Sequence, residues 1–307
     1  MGTPALSVVV LKALLSGKHN IVAVYTRPDV SRGRGRKTMS SEAHEFAEEH
    51  GLQVLQPASL SEPDVRKGLA ALDPDVVVVA AYGKIIPPSL LSVPRAGFIN
   101  VHPSKLPQYR GPSPVATAIL DGQKETGVSI IRMDTGVDSG PILIQRNVRI
   151  KPNETADCLS LRLFSLGGRI LNTILPGICN GLIVGEAQKI NGVTHTKKLT
   201  KKEGEVEWSL PAEKLDRRRR AFTPWPGFHT FWKGQLLKIH HTEAINYSHS
   251  GRSGLVIPIA NNKAAVGVTT AKGILAITSL QLEGKSRLTA EQFLAGYPSF
   301  LGSQLPS

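Results

Sequence analysis

Apolar and polar positions alternate in blocks along the first two-thirds of the chain. Ile21–Tyr25 and Val54–Gln56 are short β-branched runs, and Asp75–Ala80 is apolar enough to be a strand buried on both faces. Phe98–His102 and Val128–Ile131 have the same character. Between them lie segments of helical spacing: Ser41–His50, with Gly51 placed to stop it, Ser61–Leu72, Pro114–Leu120 and most of Thr155–Cys179. Strands alternating with helices predict a Rossmann-like α/β domain on a parallel sheet, whose ligands bind beyond the carboxyl ends of the strands. Met1-Gly-Thr-Pro4 suits the turn after a first strand, and the sequence opens without that strand.

Near Ala187 the pattern changes. Residues 187–210 are polar and basic, and 211–220 read as a short charged helix. Short strand-like runs follow at Leu236–His240, Leu255–Ile257, Ala264–Val268 and Ile274–Thr278, separated by Gly and Asn. That grammar predicts a small all-β, OB-like barrel. The expected organisation is an α/β domain over 1–185, a basic linker over 186–208 and the β domain over 209–307.

Composition narrows the class of protein. With 307 residues and 41% hydrophobic content, the chain can bury two cores. Two cysteines, Cys158 and Cys179, without metal-ligand spacing, point to a reducing compartment. No apolar run approaches the roughly 20 residues of a membrane span, and no signal segment opens the chain. The expected location is the cytoplasm of a bacterium, or the mitochondrial matrix in a eukaryote. The formal charge of +13 is uneven: residues 1–190 carry 21 basic against 16 acidic side chains, and residues 191–307 carry 16 against 8. Such an excess suits a polyanionic partner, although a solvated basic face has the same composition.

The densest chemistry runs from Asn100 to Gln145. Asn100 and His102 sit two apart on a strand, so they share a face, and Pro103 ends that strand just beyond them. Thr135-Gly-Val-Asp-Ser-Gly140 is a glycine-flanked turn that presents Asp138. An amide, an imidazole and a carboxylate suit acyl transfer to an amine: the first two stabilise an oxyanion, and the third holds the imidazole or takes a proton. A lone Asn-x-His pair on a strand is also a common structural arrangement, so residue type leaves the reading open.

The ordered set Asn100-Val-His102-Pro-Ser-Lys-Leu-Pro107, Arg110-Gly111, Thr126-Gly-Val128 and Asp138-Ser-Gly140-Pro-Ile-Leu143 resembles the signature of the folate-dependent formyltransferases. The resemblance implies that Asn100, His102 and Asp138 are the catalytic trio. It implies 10-formyltetrahydrofolate as formyl donor, contacted by Ser104, Lys105, Leu106 and Pro107, with Lys105 standing where the family has leucine. Tyr82, Gly83 and Ile85 match the family's pterin-lining loop. No metal is implied.

Three segments bear on the acceptor. Arg27–Lys37 carries five basic residues in eleven, and resembles the inserted loop that members acting on methionyl-tRNA set against the acceptor stem. Arg32, Arg34, Arg36 and Lys37 are its candidate contacts. Lys197–Gly204, with Lys201 and Lys202, and Arg217-Arg218-Arg219-Arg220 resemble the linker and the entry to the C-terminal domain of those members. Four consecutive arginines spread around a helix, so one or two must face inward. The resemblance therefore implies formylation of the α-amine of initiator methionyl-tRNA by a monomer without membrane association. Two other readings stay open: a formyltransferase of amino-sugar nucleotides, and a non-catalytic RNA-binding protein.

Overall fold

The structure, a computed structural model, describes residues 1–17, 19–32, 37–247, 251–261 and 264–307. Its contacts divide the chain into two units. One contains Met1–Pro114, Lys124–Ile150 and Cys158–Lys197; the other contains Val115–Gln123, Lys151–Asp157 and Lys198–Ser307. The expected α/β part and separate all-β part are both present.

In chain order the first part runs α1 (Ala5–Leu15), β1 (Val24–Tyr25), β2 (Val30–Arg32), β3 (Lys37–Met39), α2 (Glu42–Glu49), β4 (Val54–Leu55), α3 (Pro63–Ala71), β5 (Val77–Val79) and α4 (Pro88–Leu91). The chain continues through β6 (Phe98–His102), α5 (Pro114–Leu120), which from Val115 on belongs to the second unit, and then β7 (Glu125–Arg132), β8 (Ile142–Arg149) and α6 (Ala156–Cys179). β1 pairs in parallel with β4, and β5 in parallel with β6. Beyond β6 the sheet turns antiparallel: β7 runs against β6, and the 133–141 loop folds β8 straight back along β7. A strand returned by so short a loop can only pair antiparallel, whatever the rest of the sheet does.

The longest elements of this part that were not anticipated are α1 and β8. In α1 the run Ala-Leu-Ser-Val-Val-Val-Leu-Lys-Ala-Leu-Leu leaves no polar stripe to mark a helix, and three consecutive valines read equally as strand. β8 is half polar, because most of it is only partly covered or exposed.

The core of this unit gathers Leu69, Val77, Val79 and Phe98 around the parallel strands. β6 is buried except at Asn100, where the coverage is partial. Helix α6 lies hard against it: a Cβ on Gly167 would sit 2.5 Å from Val101 Cγ1. The missing side chain therefore sets how closely the helix supports the strand. Among the described residues no helix is long and apolar enough to cross a membrane.

The second unit contains α7 (Ala212–Ala221), β9 (His229–Trp232), β10 (Gln235–Ile245), β11 (Val256–Asn261), β12 (Ala264–Thr269), β13 (Ile274–Leu282), β14 (Leu288–Thr289) and α8 (Ala290–Gly296). Its strands lie in the order β11-β12-β13-β10-β9, with β14 on β13, and every ladder is antiparallel. The register shifts between Ile239 and Thr242, which bends the long β10. Among the described residues no ladder joins β11 to β9, so the sheet is open there. Trp232 fills one end of the core, edge-on to Phe300 at 5.3 Å and to Phe293 at 6.0 Å between ring centroids.

Candidate active site

The end of β6 and the 134–140 turn bring the three expected residues together. Asp138 Oδ1 accepts from Asn100 Nδ2 at 3.1 Å, and Oδ2 accepts from the Gly111 N–H at 2.8 Å. His102 Nδ1 stands 3.5 Å from the same Oδ2. The other ring nitrogen, Nε2, donates to the carbonyl of Tyr109 at 3.0 Å. A carbonyl can only accept, so the neutral ring carries its proton on Nε2 and its lone pair on Nδ1, facing the carboxylate. Asp138 (φ +50°) and Tyr109 (φ +61°) both adopt the left-handed backbone, a strained conformation for non-glycine residues that concentrates at functional sites. The turn itself is held by Asp134 Oδ1, which accepts from Gly136 N at 3.0 Å and from Ser139 Oγ at 2.8 Å. A Cβ on Gly140 would lie 1.8 Å from the Arg132 carbonyl, so only glycine closes this turn.

His102 is almost fully buried, and that burial pushes its pKa below the ordinary 6.5. The charge of Asp138 and the Tyr109 carbonyl pull the other way and do not overcome it. The ring is therefore neutral near pH 7, with an acceptor waiting at each nitrogen for the cation. Asn100 is half-buried and spends one of its two amide hydrogens on Asp138, leaving the second for an incoming oxygen.

Residues 1–175 match the family described as formyl transferase, and residues 198–298 match the formyl transferase C-terminal domain. The chain belongs to the formyl transferase family. Methionyl-tRNA formyltransferase of Methylococcus capsulatus is 41% identical over 293 residues, which cover 95% of this chain and 94% of that protein. The Chloroflexus aggregans protein of the same name is 41% identical over 299 residues, covering 96% of each. Among solved structures, an N-formyltransferase from Helicobacter canadensis, in complex with folinic acid and dTDP-3-aminofucose, superposes with a TM-score of 0.65 at 17% identity, covering 90% of this chain and 97% of that one. HypX from Aquifex aeolicus in complex with tetrahydrofolic acid gives a TM-score of 0.59 at 18% identity, over 83% of this chain and 44% of that one. These two likenesses concern the fold.

Within this formyl transferase the loop after β6 is internally bonded. Ser104 Oγ donates to the Gln108 carbonyl at 2.7 Å, and the Leu106 N–H donates to Ser129 Oγ at 3.2 Å. Gln145 Nε2 donates to the Leu106 carbonyl and to Ser129 Oγ, each at 2.9 Å. Ser104 and Leu106 are buried, Pro107 is half-buried and Lys105 is exposed. The second expected folate segment divides. Tyr82 lies in the core with Val77, Val79 and Phe98, where burial pushes its pKa up to about 12. Gly83 and Ile85 face outward, Ile85 at 89% exposure.

The site residue that sequence reasoning missed is Gln188. Its Nε2 donates to the backbone carbonyls of Asp138 and Gly140, both at 2.8 Å. Its Oε1 accepts from Arg110 Nε at 3.1 Å and Nη2 at 2.7 Å. Gln188 thus ties the Asp138 turn to the loop after β6, from inside the stretch expected as a linker. The same stretch continues alongside: Tyr109 N donates to Thr194 Oγ1 at 2.8 Å, and Thr196 N to the Arg110 carbonyl at 2.7 Å. Nothing in the sequence marks one glutamine in a polar run as a buttress.

The basic candidates scatter. Arg34 and Arg36 lie outside the described residues, while the backbones of Arg32 and Lys37 pair across β2 and β3. The root of that hairpin is fixed by Asp29, which accepts from His44 Nδ1 at 3.0 Å, Gln56 Nε2 at 2.7 Å and Ser40 Oγ at 3.1 Å. Lys201 and Lys202 are exposed. Of the four consecutive arginines at least one faces inward, as a run on a helix requires. Arg219 is enclosed, with Nε on Thr242 Oγ1 at 3.2 Å and Nη2 3.3 Å from Asp216, so its guanidinium is not offered to a ligand. Arg220 Nε takes the other Asp216 oxygen at 2.9 Å, and Arg218 donates to the Glu203 carbonyl at 2.8 Å. Arg217 is half-buried, with Nε unpartnered among the described residues.

Proposed function

We infer that this chain transfers the formyl group of 10-formyltetrahydrofolate to the α-amine of methionyl initiator tRNA. The observation that carries the reaction is the joined Asn100–Asp138–His102 constellation at the strand end. The acceptor follows from the relatives, which match both parts of the chain at 41% identity and are named for methionyl-tRNA.

The folate supplies an activated formyl group on N10. The spare Asn100 N–H is free to bind the formyl oxygen as it becomes an oxyanion. Attack by the amine forms a new C–N bond, and collapse of the tetrahedral intermediate breaks the formyl C–N10 bond. The amine proton leaves through His102 Nδ1, whose lone pair faces Asp138; the resulting imidazolium is held by Asp138 on one side and the Tyr109 carbonyl on the other. The proton then completes N10 of the departing folate. Ser104–Pro107, Gly83 and Ile85 are the residues we assign to folate. Lys201, Lys202, Arg32, Arg34, Arg36 and Lys37 are those we assign to tRNA, with residues 209–307 as the RNA-binding domain. The enzyme acts as a monomer in the cytoplasm, where its acceptor is made.

The test supplies labelled formyl donor with charged initiator tRNA, charged elongator tRNA and a small amine in parallel. Label should enter initiator methionyl-tRNA preferentially. Equal labelling of the small amine would remove the tRNA reading, and label entering an amino-sugar nucleotide alone would replace it.

A further inference from the structure

Within the first unit a hydrogen bond joins the root of the basic hairpin to the 82–86 loop. Arg27 follows the carboxyl end of β1, and the loop follows the carboxyl end of β5, where ligands of parallel strands bind. Arg27 Nη2 donates there to the Gly83 carbonyl. The loop depends on such outside bonds. Ala81 (φ +47°) and Gly83 (φ +71°) are both left-handed, and no helix or strand ladder holds residues 81–86. Thr3 Oγ1 donates to the Tyr82 carbonyl at 3.2 Å. The Lys84 ammonium donates to the carbonyls of Pro57 at 2.7 Å and Ala58 at 2.9 Å. Burial, and then the charge of Arg27, pull the Lys84 pKa below its ordinary 10.5. The bonds of Thr3 and Lys84 do not involve Arg27, so they hold the loop in its absence.

What Arg27 adds is the orientation of a single peptide, the one between Gly83 and Lys84. Its own base is firm. Thr26 beside it is fully buried and its N–H donates to the Leu55 carbonyl at 3.0 Å. The Arg27 carbonyl accepts from Gln56 Nε2 at 2.8 Å. The Gly83–Lys84 peptide is trans, so its carbonyl and its N–H point in opposite directions. Holding the carbonyl toward Arg27 therefore aims the Lys84 N–H away from Arg27. Among the described residues that N–H has no acceptor. Glycine takes either sign of φ at little cost, so without the guanidinium this peptide can turn over. A Cβ on Gly83 would strike Arg27 Nη2, so the glycine and the arginine are a matched pair. Ile85, the next residue, is highly exposed. An oriented donor followed by an apolar side chain suits a flat heteroaromatic ring with acceptors on its edge, and a pterin is such a ring.

We propose that Arg27 is a positioning residue for the folate: acting through the Gly83 carbonyl, it locks the Gly83–Lys84 peptide so that the Lys84 N–H is presented to the pterin. The proposal rests on the assignment of this loop to folate in the formyl transfer reading.

The test compares Arg27→Ala and Arg27→Lys with the wild type, in tetrahydrofolate binding by calorimetry and in formylation of charged initiator tRNA. Arg27 is exposed, so its bond is weaker than a buried charged one. The alanine variant should raise the Kd for tetrahydrofolate and the KM for the formyl donor by about tenfold. At saturating donor its kcat, and its KM for tRNA, should stay within about twofold of the wild type. Lysine keeps a donor for the carbonyl and should recover most of the loss. Unchanged folate binding in the alanine variant overturns the proposal. So does a rise in the KM for tRNA alone, which would make Arg27 a phosphate contact. A parallel fall in kcat, or a lysine variant no better than alanine, overturns it too. Tetrahydrofolate that fails to bind the wild type refutes the folate assignment and the proposal with it, whereas equal binding to wild type and alanine variant refutes the proposal alone.

Discussion

Asp138→Asn separates the charge of this carboxylate from its shape. Asparagine tolerates the left-handed backbone at φ +50°, and Gln188 grips the carbonyl of residue 138, so the turn should stay in place. The new side chain has one oxygen where Asp138 had two, so it can serve the Asn100 amide or the Gly111 N–H and not both. One stranded donor costs stability about 1–3 kcal/mol. The catalytic loss has a different origin. An imidazolium and a carboxylate 3.5 Å apart attract by about 4–5 kcal/mol at an effective dielectric near 20. At about 1.4 kcal/mol per factor of ten, that is an upper limit of roughly a thousandfold. The Tyr109 carbonyl continues to stabilise the cation, so kcat should fall about 10²- to 10³-fold with KM for either substrate moving little. Formylation of charged initiator tRNA, at saturating folate donor, measures this. A kcat within about threefold of the wild type, from a variant that melts within a few degrees of it, would show that no charge develops on His102 in the rate-limiting barrier.

Gln188→Ala should lower kcat by about tenfold while leaving a folded chain, because it frees two carbonyls and Arg110 together without touching the reacting groups; normal kcat would show the turn holds itself. Gly167→Ala drives a methyl into Val101, between the two strand residues of the trio, and should cost about 1–3 kcal/mol in urea denaturation together with a loss of activity. Asp216→Ala leaves the buried Arg219 without its carboxylate and should destabilise by about 3–5 kcal/mol, whereas replacing Asp216, Arg219 and Arg220 together by apolar residues should cost less. His44 is raised above 6.5 by its hydrogen bond to Asp29, and Asp29 is lowered below 3.8 by the same bond. The His44 contribution is complete below pH 6.5 and is lost as pH rises through the raised value; the Asp29 contribution is complete above pH 3.8 and is lost as pH falls through the lowered one. The urea midpoint difference between wild type and His44→Gln should therefore be largest between those two values, and a pH-independent difference would break the linkage.

The placement of Asn100, His102 and Asp138 followed from local constraints once the resemblance had marked them. Strand alternation puts Asn100 and His102 on one face, Pro103 stops the strand beside them, and two glycines shape the turn of Asp138. Each of these follows from covalent geometry within a few residues. Gln188 was illegible because its three partner residues lie on loops about 50 and 78 residues away in sequence, and a polar residue in a polar run has no periodicity to read. The sheet shows the same division. The parallel pairs followed from alternating strands and helices, but the reversal at β7 and β8 depends on which edge a polar strand joins. Helix α1 hid for the opposite reason: enclosed on most sides, it has no solvent stripe.

Charge carries a further lesson about the basic segments. The sequence places 16 basic side chains in residues 191–307, and four stand together at Arg217–Arg220. Counted as phosphate contacts, those four would dominate the salt dependence of RNA binding. In the fold Arg219 is enclosed, Arg219 and Arg220 share Asp216, and Arg218 answers a carbonyl and stands over Phe222 at 5.6 Å. Three of the four guanidiniums are thus engaged inside their own unit, where Asp216 and Arg219 tie α7 to β10 through Thr242. Lys201 and Lys202, by contrast, are exposed. An arginine run on a helix is therefore weak evidence for a nucleic-acid surface, because a helix must turn part of any run inward, and an inward guanidinium needs acceptors of its own.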